Sequence, residues 1–161
     1  METSPSIRHF EGIEHYEIAI DELLAQARMR LCIFEPQLSA RFNSARRYEV
    51  LRTFLLANRA REIRILVHDA SSITRSCPRL VQLLRQFSYA VLIHETPEEA
   101  KRIYDPFSVA DHAAYTRRFH HEDNRGVTSL DDEATALELV RRFGEMWELS
   151  SPAVTATVLG L

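Results

Sequence analysis

Residues 104–111 have the sequence Tyr-Asp-Pro-Phe-Ser-Val-Ala-Asp, and the interpretation of the whole fold starts from this stretch. Its second half, residues 107–110, is short, largely apolar and bounded by polar residues, which predicts a strand closed by Asp111. Residues 114–119 predict a second strand, and the segment between the two is short enough to be a tight turn. The stretch therefore predicts the first strand of a hairpin.

Upstream of this hairpin, segments with a helical hydrophobic period alternate with short apolar runs. The predicted helices cover residues 12–28, residues 45–58 and a segment that starts at Pro78, and the predicted strands cover residues 31–34, 63–67 and 90–93. Helices that alternate with strands indicate crossover units. We therefore expect an α/β fold with a mostly parallel mixed sheet, flanked by helices on both faces.

Polar side chains follow the ends of all three upstream strands. Glu35 follows the first strand, His68 and Asp69 follow the second, and His94 follows the third. The carboxyl ends of parallel strands meet at one edge of a sheet, and ligands bind at this edge in open α/β folds. We expect these residues to line the rim of a pocket there. His68 and Asp69 are adjacent in sequence, which does not by itself aim them at each other as an acid–base pair.

The two ends of the chain have different characters. Residues 1–11 form a polar lead-in, and residues 150–161 form a largely apolar C-terminal tail that we expect to pack as a strand or to contact a partner. Before the tail, Asp131 is predicted to cap a last helix. We expect a single domain over residues 1–161.

Composition narrows the class of protein. The formal net charge of −3 argues against a generic basic nucleic-acid-binding module. Two cysteines are too few for a disulfide scaffold, and no apolar stretch approaches the roughly 20 residues of a membrane span. Lys101 is the only lysine in the chain. We expect a cytoplasmic protein without a membrane span, without a metal and without a cofactor.

The segment from Arg117 to Arg125 is a second candidate site. Strand alternation places Arg118 and His120 on one face, with Arg125 returning nearby, and makes Phe119 the core anchor on the other face. Arginine forks suit phosphate or carboxylate, so this pattern predicts an anion pocket. The alternative is a polar hairpin with solvated charges. Adjacent His120 and His121 should point to opposite faces, which is not a zinc-ligand spacing.

The order of these elements resembles one half of a phospholipase D-like domain over nearly the whole chain. Several short phrases resemble, more closely, a bacterial family of such domains that lack the full catalytic motif. These phrases are Arg-Phe at 41–42, His-Asp at 68–69, Cys-Pro-Arg-Leu at 77–80, Tyr-Asp-Pro-Phe at 104–107, Arg-Phe-His at 118–120, Arg-Gly at 125–126 and Leu-Gly-Leu at 159–161. The superfamily motif is His-x-Lys followed by four residues and Asp. Aligning its Asp with Asp111 places Tyr104 at the His position and Pro106 at the Lys position.

The resemblance implies that the catalytic pair has been lost. In the active superfamily the His attacks phosphorus, the Lys stabilises the phosphoryl oxygens, and two motifs meet across a dimer or between internal halves. A phenol with a pKa near 10 is a poor nucleophile at neutral pH, and Pro106 carries no charge. We therefore expect a catalytically inactive homodimer that acts as a binding or regulatory module for an anionic, phosphate-bearing ligand, such as nucleic acid or a phosphorylated metabolite, or for a protein partner.

Two alternatives remain open. The first is a phosphodiesterase-type hydrolase whose active site has migrated to His68, His94 or His120. The second is a structural partner domain of an acyltransferase. The resemblance implies this alternative, because related domains are in places fused to acyltransferases of the N-acetyltransferase type. In that case the apolar tail would be the docking element.

Overall fold

One eight-stranded sheet organises the computed structural model, which describes residues 3–155. The strands are β1 (Ile7–Phe10), β2 (Arg30–Phe34), β3 (Glu62–Val67), β4 (Val91–Glu95), β5 (Phe107–Ala110), β6 (Ala114–His120), β7 (Asp123–Ser129) and β8 (Ser151–Val154). Their order across the sheet is β1-β7-β6-β5-β2-β3-β4-β8. The predicted hairpin at residues 107–119 is therefore β5 and β6.

Helices cover both faces of the sheet, as predicted. They are α1 (Ile13–Gln26), α2 (Ala45–Ala57), α3 (Ile73–Ser76), α4 (Pro78–Gln86) and α5 (Glu133–Glu148), with short 3-10 helices at Ala40–Asn43 and Glu98–Ala100. The first four α-helices enclose one core layer with the apolar side chains of the sheet, and α5 encloses a second layer on the opposite face. Within residues 3–155, none of the helices combines the length and the apolar character that crossing a membrane requires.

The α/β class and the mixed sheet are confirmed, but parallel pairing is limited to β2, β3 and β4. The other neighbouring pairs of described strands are antiparallel. The sheet is therefore mostly antiparallel, and the expected share of parallel pairs was too high. Parallel neighbours need a crossover connection, and helices supply it only between these three strands. β5, β6 and β7 follow one another through short turns, and short turns join antiparallel strands.

The predicted boundaries of the last helix and of the tail need two adjustments. Asp132, not Asp131, caps α5, because its side chain accepts the main-chain N–H of Thr135 at 3.3 Å. Asp131 instead accepts the N–H of Ser6 at 2.8 Å, which fastens the start of the chain next to β7. The first part of the apolar tail forms β8, as predicted, and residues 156–161 lie outside the described residues.

Gly126 sits at the crowded contact between β1, β6 and β7. A Cβ at this position would lie 2.0 Å from the main-chain oxygen of Arg117 and 2.6 Å from the ring of Phe10. Because the oxygen belongs to a paired strand, it cannot move aside freely. We expect Gly126→Ala to lower the free energy of unfolding by about 1–3 kcal/mol, measured by urea denaturation.

Gly144 in α5 provides the matched control. A Cβ there meets nothing within 4 Å, and alanine is the better helix former. We expect Gly144→Ala to raise the free energy of unfolding by about 0.5–1 kcal/mol. Equal shifts in the two variants would contradict the packing described at Gly126.

Candidate functional site

A cleft of about 460 Å³ opens at the edge of the sheet where β2 and β3 end. Its walls come from α1, from the segment that follows β2, from the loop after β3 and from the end of β6. The titratable residues that line it are Tyr16, Glu17, Glu35, Arg41, Asp69, Arg118 and His121. The volume suits a small ligand, and the position is the strand-end edge expected from the sequence.

A buried ion pair forms the floor of the cleft. Glu35 is 3% exposed and Arg118 is 8% exposed. Arg118 Nη2 donates to Glu35 Oε2 at 3.2 Å, and the Tyr16 hydroxyl donates to Glu35 Oε1. The guanidinium also lies over the Tyr16 ring, 4.6 Å from its centroid. Three elements, α1, β2 and β6, are joined by this one constellation.

Burial changes the protonation equilibria of this floor. Loss of hydration raises the pKa of the Glu35 carboxyl above its ordinary value, and the positive charge of Arg118 offsets part of that rise. Burial, followed by the negative charge of Glu35, raises the pKa of the Tyr16 phenol well above its ordinary value. The phenol therefore stays protonated and acts as a hydrogen-bond donor to the carboxylate.

A cluster of aromatic rings stands beside the cleft. Ring centroids of His68 and Tyr104 are 5.4 Å apart, those of Tyr104 and His121 are 4.8 Å apart, and those of His120 and His121 are 4.5 Å apart. His121 also lines the cleft, so it connects the cluster to the ion pair. Throughout residues 3–155, no three His, Cys, Asp or Glu side chains are arranged to hold a metal ion.

Both ring nitrogens of His68 are engaged. Nε2 lies 2.7 Å from the main-chain oxygen of Ile103, which can only accept, so Nε2 carries the proton. Nδ1 then accepts from the Thr96 hydroxyl at 2.7 Å. Burial lowers the pKa of His68 below its ordinary value, which favours this neutral form. The Lys101 ammonium is also hydrogen-bonded within the protein, because its Nζ donates to the main-chain oxygen of His68 at 2.6 Å.

Two of the predicted site residues lie elsewhere. His94 stacks on Trp147 with centroids 3.9 Å apart and bonds to the Ser150 hydroxyl at 2.8 Å. Arg125 is exposed and pairs with Asp123 at 2.7 Å. The structure therefore brings Arg118 and Asp69 to the cleft and His68 and His120 to the adjacent ring cluster, but it leaves His94 and Arg125 outside both.

The sequence predicted the wrong inward face for the end of β6. Phe119, expected as the core anchor, is 51% exposed, whereas Arg118 is buried against Tyr16. The β6–β7 register shifts between Arg118 and His120, and the strand ends there. His120 and His121 therefore do not alternate, and both rings contact Tyr104. Two adjacent histidines in the sequence indicate this arrangement when they lie at the end of a strand, where side chains need not alternate between faces.

The three residues aligned with the catalytic motif flank β5: two precede the strand and one follows it. Tyr104 precedes the strand and belongs to the ring cluster, and Pro106 is buried with its main-chain oxygen accepting the N–H of Arg118 at 2.9 Å. Asp111 follows the strand and has a φ of 57°. Its carboxylate accepts the N–H groups of residues 28, 29 and 30 at 2.8, 2.7 and 3.0 Å. Asp111 therefore fastens the loop between α1 and β2, away from the cleft.

Solved structures with the same arrangement of elements identify the fold. The phospholipase D family member Nuc from Salmonella typhimurium superposes with a TM-score of 0.70 at 9% identity, over 94% of this chain and 100% of that one. NucT from Helicobacter pylori gives a TM-score of 0.61 at 15% identity, over 93% and 100% of the two chains. The archaeal chromatin protein TrmBL2 gives 0.65 at 13% identity, over 92% of this chain and 52% of that one. The phospholipase D-like fold is confirmed.

Sequence comparison adds a family without an assigned activity. A family model described as "Domain of unknown function (DUF7931)" matches residues 13–158. No curated protein matches the sequence. The homodimer, the acyltransferase partner and the loss of catalysis stay predictions.

The role of Asp111 can be tested by removing its carboxylate. Asp111→Ala leaves three main-chain N–H groups without their acceptor and places alanine at a positive φ. We expect the free energy of unfolding to fall by about 2–3 kcal/mol in urea denaturation. His112→Ala, at the exposed neighbouring position, should change it little. Equal unfolding midpoints for the two variants would exclude this structural role.

Proposed function

Because the chain belongs to the DUF7931 family and has a phospholipase D-like fold, we propose that it is a catalytically inactive phospholipase D-like domain that binds a phosphate-bearing ligand in the cleft. The observation that carries the proposal is an asymmetry in the cleft. Its acidic side chains are already bound by groups of the protein, whereas several of its basic groups are not.

The acidic side chains of the cleft are each engaged. Glu17 accepts from Arg47, which is 2% exposed and also bonds to Asp21 of α1 at 3.1 Å. Glu35 is held by the ion pair and the phenol described above. Asp69 accepts the N–H of Ser71 at 2.9 Å. These contacts offset much of the negative charge that an incoming anion would meet.

The basic groups are less satisfied. Across residues 3–155, the Arg41 guanidinium has no hydrogen-bond or ion-pair partner, and the side chain is exposed on the cleft wall. Arg118 Nε and His121 Nδ1 are buried without a partner. Buried polar nitrogens normally find a hydrogen-bond partner, and the Arg118 guanidinium can only donate, so it favours a ligand with acceptor oxygens. A phosphate group supplies such oxygens and suits the arginine fork.

The absence of catalysis is supported by the groups around β5. Tyr104 and Pro106 occupy the aligned nucleophile and lysine positions. The half-buried imidazole of His68 has both nitrogens hydrogen-bonded, and Lys101 is anchored by a main-chain oxygen. A nucleophile needs a free lone pair and a nearby base or charge. These residues do not offer that combination.

The nature of the phosphate-bearing ligand is also part of the proposal. TrmBL2, an archaeal chromatin protein with a novel mode of DNA binding, shares the fold, which supports nucleic acid as one candidate. The net charge of −3 favours a compact ligand held by a few contacts over a long phosphate backbone.

Arg41 tests the site. We expect Arg41→Gln to weaken the binding of inorganic phosphate about tenfold, because it removes a charge-assisted hydrogen bond without altering the buried floor. Arg46→Gln, an exposed substitution at the start of α2 outside the cleft lining, should bind as the unchanged protein does. Isothermal titration calorimetry measures both. Identical affinities in the two variants would place the anion elsewhere.

A hydrolase with a migrated site is the second candidate, because His120, His121 and Tyr104 are in ring contact beside the cleft. We expect no turnover of bis(p-nitrophenyl) phosphate above the buffer rate. Turnover that disappears in His120→Ala or His121→Ala, but persists in His94→Ala, would replace the proposed inactive domain with a hydrolase. His94 is the matched control because it lies outside the cluster.

A further inference from the structure

We propose that Glu35 makes the cleft selective for a phosphate group that carries a proton, as inorganic phosphate or a terminal phosphate monoester, over phosphodiesters and sulfate. This inference rests on the proposed anion-binding function and names its ligand class. It also separates this cleft from one that receives the phosphodiester backbone of a nucleic acid.

The Glu35 carboxylate has hydrogen-bond acceptor positions that the protein leaves unused. An ionised carboxylate has about four lone-pair positions. The structure uses one on each oxygen, for the Tyr16 hydroxyl and for Arg118 Nη2. Glu35 lines the cleft although it is only 3% exposed. Its remaining acceptor capacity is therefore available to a group that enters the cleft and donates a hydrogen.

The donor groups of the cleft would hold the same ligand as Glu35. Arg41, Arg118 and His121 line the cleft and can offer donor groups to acceptor oxygens, while an ionised Glu35 can contact only a donor. A ligand that satisfies all of them must present oxygens on one side and a hydroxyl on the other. A protonated phosphate has both kinds of group, and its P–O–H can donate to Glu35.

Ligands of similar shape differ in whether they carry a proton that could be donated to Glu35. Sulfate and phosphodiesters carry no proton near neutral pH. Either one would bring oxygens with negative charge against a buried carboxylate, or would require Glu35 to take up a proton as it binds. Inorganic phosphate keeps at least one proton at pH 7, whereas a phosphate monoester, with a second pKa of about 6, keeps its proton on only about half of the molecules at pH 6 and therefore donates to Glu35 only as its monoanion. These ligands avoid the conflict.

Other ionisable groups also face this floor and need to be controlled. They are Tyr16 and Glu17 of α1, Arg41 of the 3-10 helix, Arg47 of α2, Asp69 after β3, and Arg118 and His121 at the end of β6. Comparing phosphate with sulfate at one pH in one protein keeps the ionisation of these groups in the free protein the same for both titrations, and the two ions are of similar size.

The test is calorimetric titration of the full chain at pH 7 with inorganic phosphate and, separately, with sulfate. We expect phosphate to bind at least tenfold more tightly than sulfate, and we expect Glu35→Gln to reduce that ratio to about one, because an amide can both donate and accept. Glu17→Gln is the matched control: this carboxylate also lines the cleft but is engaged by Arg47, so the ratio should persist.

The outcomes separate the two proposals. Equal affinities for phosphate and sulfate in the unchanged protein, or an unchanged ratio in folded Glu35→Gln, would overturn the selectivity and leave anion binding in place. Binding of neither ion would overturn both. If Glu35→Gln does not fold, methyl phosphate against dimethyl phosphate at pH 5 decides the matter with the unchanged protein, because both are then mainly monoanions and only methyl phosphate carries a proton. A preference for methyl phosphate supports selectivity, and equal binding removes it.

Discussion

The ion pair between Glu35 and Arg118 is the interaction on which the cleft depends. Two charges removed from water are costly unless each has a partner and further hydrogen bonds, and here the Tyr16 hydroxyl and the main-chain oxygen of His121 supply those bonds. The two strand ends are separated in the sheet by β5, so the pair spans that strand. It holds α1, β2 and β6 around one floor, and Arg118 orients the turn that carries His121.

The two ends of β5 have different roles in the structure. Asp111 acts at one end through three main-chain hydrogen bonds to the loop before β2, and none of them involves the residues at the nucleophile or lysine positions. Tyr104 stands at the other end, among imidazole rings. Substitution at the cleft end therefore leaves the structural end intact. Its three hydrogen bonds give Asp111 a role in stability that requires no catalytic chemistry.

Hydrophobic period was sufficient to predict β5, the crossover helices and the strand-end edge where the cleft opens, because these features are local or follow from strand direction. Contacts made at long range could not be predicted in the same way. Arg118 and Glu35 are 83 residues apart, and Tyr16 occupies a position in α1 that its spacing assigns to the apolar stripe. Strict alternation places Phe119 in the core, because alternation alone does not indicate which face is covered at the end of β6, where the β6–β7 register shifts. The antiparallel majority depends on the short turns between β5, β6 and β7 and on the pairing of β1 and β8 at the sheet edges, which hydrophobic period does not specify.

A neutral pair at the floor also shapes what the cleft can recognise. If Arg118 stood alone, the cleft would attract any anion by charge. Pairing with Glu35 removes most of that general attraction and leaves directional groups: donor nitrogens on one side and carboxylate lone pairs on the other. Recognition then depends on how a ligand distributes its hydrogens as well as on its charge. This hydrogen-bond pattern is a physical reason for a buried acid beside a buried base.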